Sequence, residues 1–307
     1  MHLIIVNPAA NSGRAAELIP LVEQCFAQAQ LPYRLVLSES AGHPEAIARK
    51  EATADTCAII AVGGDGTVSE AINGIMSLDA GQRPALGIIS AGSGNDAARG
   101  FGISSNPKAA IDVVLDTHSK TFDIGKVNDR YFASSFSIGL DAMVVEQTLK
   151  YKATKGWTGS RLYYTSLLKI ITSRLQAVEL AINYTDDNGS TEPVNVQVLL
   201  CAITNGQTYG GGIPINPGAH PSNGQLALAW IDSMNVLETL TRLPLITSGK
   251  HINLKVYNRK EITSATVQST NGTKLPAQAD GELFYDCSFE ICAHAAKLKV
   301  LTPSSTL

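Results

Sequence analysis

Gly63-Gly64-Asp65-Gly66-Thr67 lies directly after the apolar run Cys57–Val62 and directly before the helix-compatible run Val68–Ile75. A buried strand that ends in glycines and reopens as a helix belongs to an α/β layer, and few other folds accept it. Glycine lets the backbone come close to a phosphate and aim its N–H groups at it, while the following helix N-terminus favours an anion. Asp65 is of the type that holds Mg²⁺, and Thr67 can donate its hydroxyl to a phosphate oxygen. The alternative is a plain strand-to-helix turn that needs glycine for a positive φ, which three glycines flanking an acid disfavour. The junction also recurs. Leu3–Val6 runs into Asn7-Pro8-Ala9-Ala10-Asn11-Ser12-Gly13-Arg14, and Ala85–Ile89 runs into Ser90-Ala91-Gly92-Ser93-Gly94-Asn95-Asp96. Three polar, glycine-containing loops on three strand ends would border one crevice of a parallel sheet. Arg14 could reach terminal phosphates, Ser93 and Asn95 offer nucleotide contacts, and Asp96 suits either a helix cap or a ligand. The pattern lacks the lysine of a Walker loop and the GxGxxG spacing of a dinucleotide fold.

The chain's 307 residues are too many for one core, and two domains are expected. The first ~125 residues alternate strand and helix: helices over Ala15–Ala29, His43–Ala54, Val68–Ile75 and Pro107–Leu115, with Tyr33–Leu37 a further strand. From Phe122 the texture becomes that of an antiparallel sandwich. Strands are expected at Phe122–Val127, Tyr131–Ser137, Val178–Tyr184, Val194–Ile203, Gln225–Ile231, Asn253–Tyr257, Glu261–Gln268 and Phe284–Ile291. Asp187-Asn188-Gly189 and Asn271-Gly272 mark turns between them. Helices are expected near Asp141–Tyr151, Ser160–Leu175 and Val236–Leu245, and Lys297–Leu301 is a short final strand. The fold class is therefore an α/β nucleotide-binding domain with a parallel sheet, residues 1–125 plus a C-terminal strand at about 294–307, joined to a β-sandwich domain, residues 126–293.

The series Asn7-Pro8…Gly13-Arg14, Gly63–Glu70 (GGDGTxxE) and Gly92–Asp96 (GSGND) resembles the diacylglycerol kinase catalytic-domain family, which includes sphingosine and ceramide kinases. The resemblance continues through Phe122–Asn128, Ser137–Val144, Asn205–Gly212 and Ala279–Glu282 and covers nearly the whole chain in order. It implies an ATP- and Mg²⁺-dependent lipid kinase with its active site in the cleft between the two domains, the final strand returning to the first. By position, Asn7, Arg14, Ser38, Gly63, Gly64, Asp65, Gly66, Thr67, Glu70, Ser93 and Asn95 resemble the ATP-binding residues. Asp65, Asp96 and Asp123 resemble the acids around Mg²⁺. Glu282 resembles the catalytic base, with Asp280 beside it. The chemistry is consistent with these roles: phosphoryl transfer needs aligned phosphates, neutralised charge and a carboxylate near the acceptor hydroxyl. On its own, Asp280-Gly281-Glu282 would read as a hairpin turn.

One stretch departs from the family. Relatives carry an Asp-Asp-Gly segment for a structural Mg²⁺, whereas this chain has His220-Pro221-Ser222-Asn223-Gly224-Gln225. Asn223 is a poorer ligand than a carboxylate for a hard cation, so a weak or absent second site is expected, with Asn223 and the backbone oxygens of His220 and Gln225 as its ligands. A net charge of −3 without any Lys/Arg run excludes a nucleic-acid footprint. Five widely spaced cysteines without a CxxC point to reduced thiols rather than disulfides or zinc. With no leader and no apolar run long enough to span a bilayer, a cytoplasmic enzyme that visits the membrane transiently is expected. Lys150–Lys155 with Trp157 and Arg161 is mildly basic and suited to headgroups, whereas Tyr163-Tyr164 read first as packing. The alternatives are an NAD kinase-like enzyme, which shares GGDGT on a similar plan, and a nucleotide-binding regulator without turnover, which would have lost the acidic set. A homodimer is the default expectation for assembly. The residues do not choose among lipid hydroxyls.

Overall fold

The structure, a computed structural model, describes residues 1–156 and 160–304. The chain divides into two compact units, residues 1–122 with the C-terminal stretch from Ala296, and Asp123–Ala295.

The first unit opens with β1 (His2–Val6), α1 (Arg14–Glu17), α2 (Ile19–Gln28), β2 (Tyr33–Leu37), α3 (His43–Glu51), β3 (Ala58–Gly63) and α4 (Asp65–Met76). It continues with β4 (Ala85–Ser90), α5 (Asp96–Gly100), α6 (Pro107–Asp116) and the start of β5 (Ser119–Val127). The four strands are parallel in the order β4-β3-β1-β2, with Ile60 beside Ile4 and Gly87, and Leu35 on the far side of Ile4. Every residue of β1, β3 and β4 is buried, which is why they read as unbroken apolar runs rather than alternating ones. Each fully buried Ile or Leu among them contributes about 1.5–3 kcal/mol. The helix expected over 15–29 is two helices. Pro20, at the start of α2, has no N–H for a continuous ladder but suits a helix's first turn. At α6 the Asn106 side chain accepts from the Ala109 amide, 3.2 Å, and Pro107 opens the first turn.

The second unit contains the rest of β5, then β6 (Arg130–Phe132), β7 (Ser135–Gly139), α7 (Leu140–Lys155), α8 (Ser160–Ser173), β8 (Val178–Thr185) and β9 (Thr191–Thr204). After these come β10 (Leu226–Asp232), α9 (Val236–Thr247), β11 (Tyr257–Ile262), β12 (Ser264–Ser269), β13 (Leu275–Ala279), β14 (Glu282–Asp286) and β15 (Ser288–Leu301). All named pairings within this unit are antiparallel. β9 serves two layers: Thr191–Val198 pairs along β8, while Leu200–Thr204 lies between β7 and β10. One apolar core fills the sandwich around Phe132, Phe136 and Phe289. A second packs α7, α8 and α9 against the opposite side of β9, through Val144, Ile171, Leu199 and Ile246.

Several expectations need correction. The strands expected at Tyr131–Ser137 and Glu261–Gln268 are each divided, between β6 and β7 and between β11 and β12, and β13 adds a strand to those expected. The strand expected at Asn253–Tyr257 is a short 3-10 turn, Lys250–Asn253, and the strand begins at Tyr257. The strand expected at Phe284–Ile291 is broken at Cys287, whose amide is taken by the Asp286 side chain, 2.8 Å. The final strand is longer than Lys297–Leu301: β15 starts at Ser288, and its end lies in the first unit, where Val300 pairs with Leu86.

Candidate active site

In the first unit the chain leaves β1 for β2 on one side and returns to β3 on the other. The β1/β3 boundary is therefore the topological switch point, where open α/β sheets bind ligands at the strands' carboxyl ends. Two of the three glycine-containing loops meet there. The Asn7 side-chain amide donates to Thr67 Oγ1, 3.2 Å. The third loop, after β4, is stitched on by Ala91 N–H donating to the Gly63 carbonyl, 2.8 Å.

The glycines are required for closeness rather than for handedness. None of Gly63, Gly64, Gly66, Gly92 or Gly94 has a positive φ, so the plain-turn reading of Gly63–Thr67 does not hold. A Cβ on Gly63 would fall 2.4 Å from Thr67 Oγ1, one on Gly92 2.6 Å from Gly64 Cα, and one on Gly94 2.6 Å from an Asp65 carboxylate oxygen. A Cβ on Gly66 meets nothing within 4 Å. The first turn of α4 therefore presents its amides on an open side, next to two loops packed too tightly for any side chain.

Asp65 ties the loops together. Its carboxylate accepts from the Asn95 and Asp96 amides, 2.7 Å each, and from Ala97, 3.4 Å. Desolvation and the neighbouring Asp96 raise its pKa, against the pull of those three amides. Asp96 is buried and paired with Arg99, 2.5 Å. Asn95 takes the left-handed conformation, φ 55°, and its side-chain oxygen is buried without a hydrogen-bond partner. One Glu70 oxygen is in the same condition. Ser38 is buried just past β2, with its amide on the Val6 carbonyl, 2.8 Å. Ser93 and Arg14 are exposed, Arg14 as the first residue of α1.

In the second unit Asp123 is buried and accepts the Gly224 amide, 2.6 Å, so it reaches the His220–Gln225 loop. The Asn223 side-chain oxygen is engaged by the Gln225 amide, 3.1 Å, in a local turn, and Ser222 bonds His220, 2.9 Å. Asp280, at φ 47°, accepts three consecutive amides, Ala133 at 2.7 Å, Ser134 at 2.9 Å and Ser135 at 3.0 Å. That ties Asp280 to the strand neighbouring its own hairpin and leaves it little capacity as a base. Glu282, half-buried, forms an ion pair with Arg130. Within either unit, no three His, Cys, Asp or Glu side chains gather as a metal site among the described residues. The grouping of Asp65, Asp96 and Asp123 around Mg²⁺ thus rests on the resemblance.

Sequence reasoning passed over one cluster. Under α7, α8 and α9 lies an apolar cavity lined by Leu167, Leu199, Ile215, Leu243 and Ile246, with Asp141 at its edge. Its volume is about 40 Å³, space for roughly three waters at ~10–15 Å³ each. Asp141 is buried and accepts from Ser137 Oγ, 2.7 Å, from Gln278 Nε2, 2.9 Å, and from the Tyr163 hydroxyl, 3.2 Å. Tyr163, expected as packing, therefore also serves this acid. Asp141 stands in the Ser137–Val144 motif and Gln278 just before Ala279–Glu282, so the signal was their adjacency to stretches already singled out.

Comparison with known proteins gives the same answer along the whole chain. The diacylglycerol kinase catalytic domain matches residues 1–127, and the YegS C-terminal NAD kinase beta sandwich-like domain matches residues 134–302. A diacylglycerol kinase of Mycobacterium tuberculosis is 31% identical over 255 residues, 81% of this chain and 77% of that protein. One of Bacillus subtilis is 29% identical over 283 residues, covering 91% and 88%. The chain belongs to the diacylglycerol kinase family. The fold agrees: a solved Bacillus anthracis diacylglycerol kinase superposes with a TM-score of 0.74 at 21% identity, over 100% of this chain and 98% of that one. Within this kinase family chain, Arg130, the partner of Glu282, lies in residues 128–133, between the two matched domains. No helix among the described residues is long and apolar enough to cross a membrane. Trp157 lies outside the described residues and so does the Arg161 side chain, so the headgroup-binding stretch is described only on either side of them.

Proposed function

We propose that the protein is an ATP- and Mg²⁺-dependent lipid kinase that transfers the γ-phosphoryl group to a lipid hydroxyl, with diacylglycerol the leading candidate. The observation that carries this reading is the β1/β3 switch point, where the space beside Gly66 in the first turn of α4 is open while Gly92 and Gly94 pack against Gly64 and Asp65. The amides of Gly64–Thr67 and the helix dipole would bind the triphosphate. Thr67 already accepts from Asn7, and its own O–H can donate to a phosphate oxygen. Asn7, Ser38, Glu70, Ser93, Asn95 and Arg14 would complete the nucleotide site. Mg²⁺ fits the acids here, because burial and, after it, the neighbouring Asp96 raise the Asp65 pKa, and a cation would offset both. When bound it neutralises phosphate charge. Asp65 and Asp96, with Asp123, would hold it directly or through water.

Glu282 is the proposed base. Paired with Arg130, it would take the proton of the lipid hydroxyl as that oxygen attacks the γ-phosphorus and ADP leaves. Asp280 holds the turn rather than sharing the proton transfer. The cavity beneath α8 and α9 is the proposed acyl slot. At its present size it must widen for a chain to enter, by movement of those helices.

The outer face of α7–α8 suits the membrane visit this chemistry requires. Residues 150–174 include Lys150, Lys152, Lys155, Arg161, Lys169 and Arg174 and no acid. Leu149, Tyr164 and Leu168 are exposed beside them. Apolar side chains among cations match the interface of an anionic bilayer.

Turnover of ATP with short-chain diacylglycerol or with NAD as acceptor, in one ADP-release assay, tests the reading. Diacylglycerol-dependent release supports it. Release with NAD alone replaces it with an NAD kinase-like activity, and tight ATP binding without transfer to any acceptor replaces it with a regulator.

A further inference from the structure

A two-residue hairpin turn of Asp-Gly type is complete in itself. Asp280 at φ 47° and Gly281 at φ 87° supply the two left-handed residues that β13 and β14 need. Yet this turn is held a second time, by a buried glutamine. Gln278, 2% exposed, accepts the Gly281 amide on Oε1, 2.7 Å. Its Nε2 donates to Asp141, 2.9 Å, to Ser137 Oγ, 2.8 Å, and toward Ser135 Oγ, 3.3 Å. Burying a carboxamide is costly unless both of its ends are satisfied, and here they are. An amide meets both demands without a change of protonation. A carboxylate could accept from Gly281 but would repel Asp141, and a methionine of similar size could do neither.

The partner at the other end makes this more than local packing. Asp141 and Tyr163, which donates to it, both line the apolar cavity. Gln278 therefore bonds at the same time to the turn carrying Glu282 and to an acid that lines the slot. We propose that Gln278 is a positioning residue that fixes the Asp280-Gly281-Glu282 turn in register with Asp141, so that a lipid seated in the cavity presents its hydroxyl to Glu282 at a constant distance. The inference rests on the reading of Glu282 as the base and of the cavity as the acyl slot. Gln278 touches neither the hydroxyl nor the phosphate; it acts through the turn.

The test uses the full chain with Gln278→Met, Gln278→Glu and Glu282→Gln. It measures kcat and KM for short-chain diacylglycerol across pH, the Kd for ATP, and hydrogen exchange at the Gly281 amide. A misplacement of about 1 Å can cost roughly a hundredfold in rate. Gln278→Met is therefore expected to lower kcat about 10- to 100-fold, with KM and the ATP Kd within about threefold of wild type and faster exchange at Gly281. Gln278→Glu should regain activity as pH falls, because a protonated carboxyl can donate to Asp141 as the amide does, whereas Gln278→Met should not. A Gln278→Met enzyme with wild-type kcat, beside an inactive Glu282→Gln, overturns this inference and leaves the proposed reaction standing. So does a loss that appears in KM alone, or one that only follows the folded fraction. Wild-type turnover in Glu282→Gln overturns both.

Discussion

Alanine at Gly92, in the loop after β4, and alanine at Gly66, in the first turn of α4, should have opposite effects on stability. At Gly92 a new Cβ would sit 2.6 Å from Gly64 Cα and 3.0 Å from the Asn95 side-chain oxygen. Carbon atoms pack best at about 3.5–4.0 Å, so the overlap with backbone is roughly 1 Å. Overpacking of this kind costs about 1–3 kcal/mol, which for a unit of this size lowers Tm by about 2–4 °C for each kcal/mol. At Gly66 the new Cβ meets no atom within 4 Å, the residue lies in α4, and its φ is not positive. Alanine there should stabilise the protein by about 0.5–1 kcal/mol through the unfolded chain's lost freedom. The same methyl stands over the amides proposed to bind the triphosphate. Losing one charge-assisted hydrogen bond, about 1.5–3 kcal/mol, weakens ATP about tenfold or more. Circular dichroism melts and calorimetric ATP titration of both variants give the two readouts. Gly66→Ala with unchanged ATP affinity would refute the phosphate cradle. Gly92→Ala melting like wild type would refute the packing argument for the glycines.

Asp280→Asn should destabilise the second unit by about 1–3 kcal/mol, because one amide oxygen replaces a carboxylate that serves three backbone N–H groups. Glu282→Gln, in a half-exposed ion pair, should leave the melt nearly unchanged yet reduce turnover about 10²- to 10⁴-fold; equal melts for the two variants would contradict the division of roles. Tyr257, half-buried with its hydroxyl within hydrogen-bond reach of the Ile215 carbonyl and of Asn216 Oδ1, has its pKa pushed up to about 12 from 10.0 by desolvation. Above pH 10 the unfolded chain loses that proton while the folded chain keeps it, so stability falls by about 1.4 kcal/mol per pH unit up to the folded pKa; Tyr257→Phe should flatten that alkaline loss in pH-dependent melts. Burial raises the Cys201 pKa to about 12, so a thiol reagent at neutral pH should label the exposed Cys57 in the native protein and Cys201 only after unfolding. Serine at Tyr164 and Leu168 together should weaken sedimentation with anionic vesicles severalfold while turnover of a dispersed short-chain substrate stays as in wild type.

Much of the first unit was legible because its strands are buried on both faces. Leu3–Val6, Cys57–Val62 and Ala85–Ile89 could be little else than parallel-sheet strands between helices, and all three fall within a residue of β1, β3 and β4. β11, Tyr-Asn-Arg-Lys-Glu-Ile, was misplaced because it is a charged, mostly half-exposed strand whose only pairing among the described residues is with β10. Its hydrogen bonds, not its side chains, make it a strand. The loops' glycines announced close approach to something, but the sequence could not say that the nearest neighbour was another glycine loop. The job of Asp65 as the acceptor of amides from Asn95, Asp96 and Ala97 was hidden for the same reason. Asp141 and Gln278 are 137 residues apart, and only the antiparallel pairing of β13 with β7 brings them together.

The proposed reaction moves phosphate from ATP to a lipid hydroxyl. The direct measurement incubates the protein with Mg²⁺, γ-labelled ATP and a total lipid extract, separates the lipids and identifies any that carry label. A labelled phospholipid, absent with Glu282→Gln and strongly reduced with Gly66→Ala, is the predicted result. Label found only in a soluble dinucleotide or in free phosphate, with none in the lipid fraction, would contradict it.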